Sequence, residues 1–596
     1  MKDVKPLFTP QLLLSAPRRS HGVPNPSGTT ILFTTTSYSF QEHSQNTKLQ
    51  ALLVQSGETI DIAVNQNISH INWLDDERFV CLRSEKDGRT SLLHAAFSPT
   101  INSSGETTSF RSAGTINASV SSMKIARIDR DRDDFAVVLS APARKDGRLY
   151  TPADAAQNTN STGRLYDGLF VRHWDRYEGP DKNSLWYGKL SSVHGSQYEL
   201  SHLTNLLAGT NMECPIRPFG GCDHFDVRRD AVIWVAKDPE LNPSWNTRCK
   251  IFIRHIDSWA PTPEGVPTES SIRQIDVPGF GGAAVSPVFA PIGDKAAFLV
   301  MRKNRYEADK NQIVVVKDIK ASHFDIVGAF CESEQKQFEG GWDRSPSSVC
   351  FAADGESLVV IAEDQAYGRV FLIVGEEITG PGMPRPLTTH GTAAEVRCLL
   401  DGRLFISGTS MVDDSWYLMT HNIAEIVRTP TDILPKAVWS HSNSDQGNKL
   451  GLHPSQISSI WTPASNPENV AKVHSWVFKP STFDKTERYP VAYLIHGGPH
   501  AAWKDSWSTR WNPAAFAEQG YIVVAPNISG STGFGQAFTD SSVGNWGGDP
   551  YHDLENVFEW VGKNLEGADN ERAVALGHSF GGFMVGLLPN VAIGSS

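Results

Sequence analysis

Cysteine is scarce in this sequence: seven in 596 residues, Cys81, Cys214, Cys222, Cys249, Cys331, Cys350 and Cys398. An odd, scattered set without C-x-x-C spacing supplies neither a disulfide framework nor a zinc ligand set. Long apolar runs are missing too. Leu12-Leu13-Leu14 is far too short for the core of a signal peptide, and no stretch approaches the ~20 apolar residues of a membrane helix. The expectation is a reducing, cytoplasmic location and no membrane partner. Positive charge is not in excess either. Lys and Arg number 54 against 66 Asp and Glu, a net charge of −12, so nucleic acid is not an expected partner. The acidic run Asp129-Arg-Asp-Arg-Asp-Asp lacks the Gly at the sixth and the Glu at the twelfth position that a calcium loop requires. Neither a metal nor a cofactor is expected.

The length itself exceeds what one hydrophobic core supports, roughly 250–300 residues. A loose repeat runs through the first three-quarters: a turn rich in Pro, Gly, Asp or Asn, then a short strand of β-branched and aromatic residues. Its copies start at Pro26, Asp75, Asp133, Arg229, Pro291, Ala353 and Leu400. Spacing of this kind is the signature of a β-propeller, here of seven blades. The interval from the third to the fourth copy is nearly double, which an insertion in one blade or a miscount would explain.

Near Leu450 the pattern changes. Val473–Phe478, Pro490–His496, Tyr521–Pro526 and Arg572–Gly577 read as strands, the second as a continuous apolar run suited to a buried parallel sheet. Asn512–Gln519 and Asp549–Asn564 read as helices, the latter with Leu554, Val557, Phe558 and Val561 on one face. Strand and helix alternate as in a doubly wound α/β domain. The division expected is a β-propeller over 1–450 and an α/β-hydrolase domain over 451–596.

The chemistry concentrates at Gly577-His-Ser-Phe-Gly581, a G-x-S-x-G motif that directly follows a strand and leads into Gly582-Phe-Met, a helix start. That context makes Ser579 a candidate nucleophile on a strand-to-helix elbow. The oxyanion of a tetrahedral intermediate needs two donors. The amide of Phe580 is one candidate. The loop His496-Gly-Gly-Pro-His500 offers the other, Gly498 first and Gly497 second, because Pro499 has no N–H. His496 and His500 stand four apart like zinc ligands, but Gly-Gly-Pro between them will not form the helix that spacing needs. The Gly-rich stretch Asn527–Gln536 lacks the endings of a phosphate loop and reads as a substrate-side loop.

These segments together resemble the prolyl-oligopeptidase family of serine peptidases, and within it the fungal dipeptidyl peptidases. The residues that carry the likeness are Leu494–His500, Asp505–Pro513, Phe516–Asn527, Gly530–Gly535, Trp546-Gly-Gly and Gly577–Met584. Upstream, Lys237–Pro243 and Trp342–Pro346 join them. The resemblance implies a serine exopeptidase that removes dipeptides from the free amino termini of short peptides, behind a propeller that restricts entry. It also leaves secretion as the alternative location.

A working triad needs a His base and an orienting acid, which in α/β-hydrolases follow the nucleophile in the chain. The residues after Ser579 contain no Asp, Glu or His. The expectation is therefore a partial hydrolase domain, truncated after the elbow, with none of its own triad Asp and His, and with the family likeness ending near Met584, where Gly586 and Pro589 interrupt the helix. A catalytically inactive fragment acting as a binding scaffold, or an esterase of the same fold, are the competing readings.

Overall fold

The computed structural model describes residues 8–98, 108–129, 131–155, 162–179, 181–194, 197–260, 271–329, 342–375, 383–428, 434–440, 450–468 and 471–588. Each repeat turn leads into a strand: Thr30–Ser39, Arg78–Ser84, Asp134–Ala143, Ala231–Lys237, Ala296–Val300, Leu358–Asp364 and Leu404–Thr409. Every one is an inner strand of an antiparallel sheet built from neighbours in sequence. The turns enforce the reversal. Gly355 and Gly402 stand at φ 68° and 83°, a conformation that costs glycine little and other residues more. The doubled interval is taken up inside the third sheet. Between Asp134–Ala143 and Lys182–His194 the chain inserts the helix Pro152–Ala155 and a small hairpin, Arg172–His173 with Arg176–Tyr177.

Alternation along each strand gives both faces of these sheets an apolar side, so each sheet buries against two neighbours. One hydrophobic cluster lies between each successive pair. A further cluster returns from the seventh sheet to the first, where Phe405, Tyr417 and Met419 meet Ile31, Phe33 and Leu52. Hydrogen bonds assist there: the Tyr417 hydroxyl donates to Ser20 O at 2.7 Å and Gly22 N–H to Ser407 Oγ at 3.1 Å. The sixth and seventh sheets are also joined edge to edge through Gly368 and Thr392.

The C-terminal sheet has the order Ile457–Pro463, Lys472–Phe478, Ile522–Asn527, Tyr489–Ile495, Ala568–Gly577, with the last three parallel. The first of these strands is not legible in the sequence, because Ser458, Ser459 and Thr462 break its apolar pattern. In the helix Asp549–Asn564, Leu554, Val557 and Val561 are buried as expected. Phe558 is not. It stays 42% exposed, since one residue beyond Val557 turns the side chain ~100° round the helix, and it packs at the rim against Tyr493 with ring centroids 5.6 Å apart. Gly586 does not stop the last helix, which runs from Phe580 to Leu587; Pro589 lies outside the described residues. Far from the rest of this domain in sequence, Phe8, Leu13 and Ala16 of the N-terminal helical segment share its core with Trp476, Phe478 and Leu494.

Two buried polar groups set expectations for this domain. Asp553 is fully buried and its carboxylate accepts from Ser465 N (2.8 Å), Ser529 N (2.8 Å) and Ser529 Oγ (2.7 Å). Asp553→Ala strands these donors, and a loss of about 2–4 kcal/mol is expected from urea unfolding. His474 is buried among Trp461, Trp476 and Phe534, with Nδ1 accepting from Asn527 Nδ2 at 3.1 Å. Desolvation lowers its pKa from 6.5 to about 4. The unfolded chain thus binds the extra proton first. Stability is full above about pH 6.5 and falls as pH drops toward 4, by on the order of 3 kcal/mol in the limit. Urea midpoints at pH 7 and 4.5 should differ less in His474→Gln than in the parent chain.

Candidate active site

The strand Ala568–Gly577 runs parallel beside Tyr489–Ile495, with Leu576 opposite Leu494 and Gly577 opposite Ile495. The loops leaving the carboxyl ends of these two strands therefore stand side by side. One is His496–His500, the other His578–Ser579. Ser579 turns between strand and helix at φ 58° and ψ −122°, a strained conformation for a residue with a Cβ. The flanking glycines are required by contact. A Cβ on Gly577 would lie 2.3 Å from the Gly581 backbone, and one on Gly581 would lie 2.2 Å from Ile495 O. The helix that starts at Phe580 can cross the sheet this closely only without those atoms.

Phe580 opens the helix, so its N–H is among the first, which have no intrahelical acceptor. The first turn is held instead by Gly581 N–H to His578 O and Phe583 N–H to Ser579 O, both 3.0 Å. The Phe580 ring is buried against Trp546 at 5.3 Å, and Trp546 also meets Phe583 at 5.9 Å. The Trp546-Gly-Gly motif thus supports the elbow from below. Opposite, Gly497 faces Ser579: a Cβ there would sit 3.5 Å from Ser579 Cβ. Gly498 follows at φ 124°. His496 is turned away from the serine. Its Nδ1 donates to Gly497 O at 2.7 Å and its Nε2 meets Ser531 Oγ at 2.9 Å, and burial lowers its pKa. His500 Nε2 lies 3.3 Å from Ser542 Oγ. The two imidazoles have separate partners and share no ligand position. Among the described residues none forms a hydrogen bond to the Ser579 hydroxyl.

Gly498 and His500 also border a cavity of about 600 Å³ whose other walls come from the fifth and sixth sheets, including Asp309, Lys310, Asp343 and Glu363. Ser579 does not line it; the Gly498 loop separates the two. Thr532, Gly533 and Gly535 of the glycine-rich loop do line it. That loop is also where the hydrolase domain grips the upstream sheets. Gln365 N–H donates to Gly533 O at 2.9 Å, Gln536 N–H to Asp343 at 2.9 Å, and Gln536 Nε2 to Ala308 O at 2.9 Å. Lys504 pairs with Glu363 at 2.7 Å. The half-buried Asp505 carboxylate accepts from Gly391 N (2.9 Å) and Met411 N (2.8 Å), and desolvation raises its pKa. The motifs around Trp342 and Asp505 are thus contacts between the two halves of the chain. A sequence shows such residues but not their partners.

Comparison with known proteins agrees with this geometry. Residues 507–592 match the model of the prolyl oligopeptidase family, so the likeness extends past Met584, further than the motifs alone indicate. A probable dipeptidyl-peptidase 5 of Emericella nidulans is 33% identical over 593 residues, 98% of this chain and 77% of that protein. The dipeptidyl-peptidase 5 of Aspergillus fumigatus is 34% identical over 594 residues, with the same coverage. An acylaminoacyl peptidase in complex with Z-Gly-Gly-Phe-chloromethyl ketone superposes with TM-score 0.67 at 12% identity, covering 97% of this chain and 76% of its own. The uncomplexed acylaminoacyl peptidase of Pyrococcus horikoshii gives 0.66 at 12% identity, with the same coverage. At this identity the two likenesses show a shared fold over nearly the whole chain. The chain is a serine peptidase, and it belongs to the prolyl oligopeptidase family.

Proposed function

We propose that this protein releases dipeptides from the amino termini of short peptides through an acyl-enzyme on Ser579. The observation that carries the reading is the strained Ser579 between Gly577 and Gly581, at the carboxyl end of a parallel strand. In this reading Ser579 Oγ attacks the carbonyl of the second residue. The Phe580 and Gly498 amides receive the oxyanion, the shortened peptide leaves as an amine, and water then releases the dipeptide. Within residues 1–450 the upstream sheets, from Arg18 on, form a seven-bladed propeller, and the hydrolase domain over 451–596 takes the leading segment around Phe8 and Leu13 into its core. The blade count rests on seven apolar interfaces, the last joining the seventh sheet to the first.

The test is turnover of a chromogenic dipeptidyl amide with a free amino terminus, set against its N-acylated form and a simple ester. Release of intact dipeptide from the first alone supports the proposal. Preference for the acylated amide or the ester overturns it. A second reading rests on the Ser579 hydroxyl having no histidine partner among the described residues. On it the 596-residue chain binds short peptides without cleaving them, and calorimetry would then show peptide binding with no product.

A further inference from the structure

The cysteines form no framework, yet two of them meet. Cys350 lies on the strand Pro346–Phe351 of the sixth sheet and Cys398 on Thr392–Cys398 of the seventh. Their Sγ atoms are 3.8 Å apart. The meeting follows from the repeat. The turns after these strands close alike: Ala352 N–H to Ser357 O and Gly355 N–H to Ala352 O in one, Leu399 N–H to Arg403 O and Gly402 N–H to Leu399 O in the other. Ala352 therefore corresponds to Leu399, and Phe351 to Cys398. Cys350 is one residue out of step. Side chains alternate between the faces of a strand, so a one-residue offset reverses the face. Phe351 looks back toward the fifth sheet. Cys398 looks back toward the sixth, and Cys350 forward toward the seventh, both at the edge of the same cluster. The offset makes them face each other across the interface.

We propose that Cys350 and Cys398 are a disulfide-forming pair that links the sixth sheet covalently to the seventh. A disulfide needs sulfurs about 2.05 Å apart, and rotation about the two Cα–Cβ bonds brings the present pair within reach. The Cys398 thiol donates to Phe351 O at 2.9 Å, a bond that anchors it beside its partner and is given up on oxidation. With oxidised glutathione as the oxidant, one thiolate attacks the glutathione disulfide and expels one reduced glutathione. The second thiolate then attacks the mixed disulfide and expels the other. Two protein thiols are oxidised, one glutathione disulfide is reduced to two thiols, and the two thiol protons end on the released glutathione. The other described cysteines have no such partner: Cys81 and Cys214 are buried in separate clusters, Cys222 contacts His70 rather than another thiol, and the Cys249 thiol donates to Thr247 O.

The test equilibrates the whole chain in an oxidising glutathione buffer, then counts thiols and maps peptides by mass spectrometry without reduction. The expected result is the loss of two titratable thiols and a Cys350–Cys398 linked peptide. Both disappear in Cys350→Ser and, separately, in Cys398→Ser. The oxidised parent should melt several degrees above its reduced form, since the bridge closes a long loop, and neither variant should respond. Two free thiols at these positions, glutathione left on either one, or a link from either to a different cysteine overturns the proposal. Using two single variants keeps the test informative if one of them folds poorly.

Discussion

Replacing Ser579 by glycine is expected to abolish turnover and at the same time raise stability. The nucleophile's removal should cost at least about 10³-fold in kcat, as loss of an attacking hydroxyl does in serine peptidases. The stability gain comes from the backbone. At φ 58° and ψ −122°, a residue with a Cβ pays about 1–3 kcal/mol of strain that glycine escapes. Ser579→Ala keeps the Cβ and so keeps the strain. The alanine variant should therefore lose turnover while melting with the parent, and the glycine variant should lose turnover while melting above it. Thermal unfolding of the three proteins separates the two effects. If glycine gives no gain over alanine, the elbow is not strained. If turnover survives in either variant, Ser579 is not the nucleophile.

Gly581 should be nearly intolerant of change. A single methyl there would lie 2.2 Å from Ile495 O and 2.9 Å from His496 O. Both are backbone atoms of the neighbouring strand and its loop, with no flexible end to move aside. Gly581→Ala is expected to cost about 3–5 kcal/mol and to push the helix off the sheet, carrying the Phe580 amide away from Ser579. Gly586, five residues on in the same helix, provides the comparison. A Cβ at Gly586 meets nothing within 4 Å, so Gly586→Ala should stabilise by about 0.5–1 kcal/mol through helix propensity. Urea midpoints that move in opposite directions would show that contact with the sheet, not glycine content, governs the elbow.

What the sequence discloses and what it hides divide along a physical line. The turns at Asp354-Gly355 and Asp401-Gly402 specify their own conformation, and the strands beside them pair locally, so the repeat is legible in the residues alone. The elbow is legible for the same reason: strand, G-x-S-x-G and helix start are consecutive. Features that depend on a remote partner are not. Asp505 opens a legible motif, but its role shows only when the Gly391 and Met411 amides are seen to converge on it. Asp343 and Gln536 are separated by almost two hundred residues, and only the fold makes them partners. Ile457–Pro463 escapes notice because an edge strand with one half-wet face needs few apolar residues. Phe558 misleads because the apolar stripe of its helix is narrower than the run of apolar letters. The facing of Cys350 and Cys398 is hidden by a single-residue offset that only the hydrogen bonds of the two turns reveal.

The place of Phe8 and Leu13 in the hydrolase core ties the order of synthesis to the order of assembly. A ribosome delivers these side chains hundreds of residues before Trp476, Phe478 and Leu494 emerge to receive them. Each propeller sheet can pair as it leaves the exit tunnel, because its strands are close in the chain. The leading segment cannot, and it must wait with its apolar side chains uncovered while the intervening sheets form. Contacts of such long sequence separation close late and carry a large loop entropy. The C-terminal segment made alone would begin with a hole where Phe8 belongs, and supplying the leading residues as a separate peptide is the natural way to fill it.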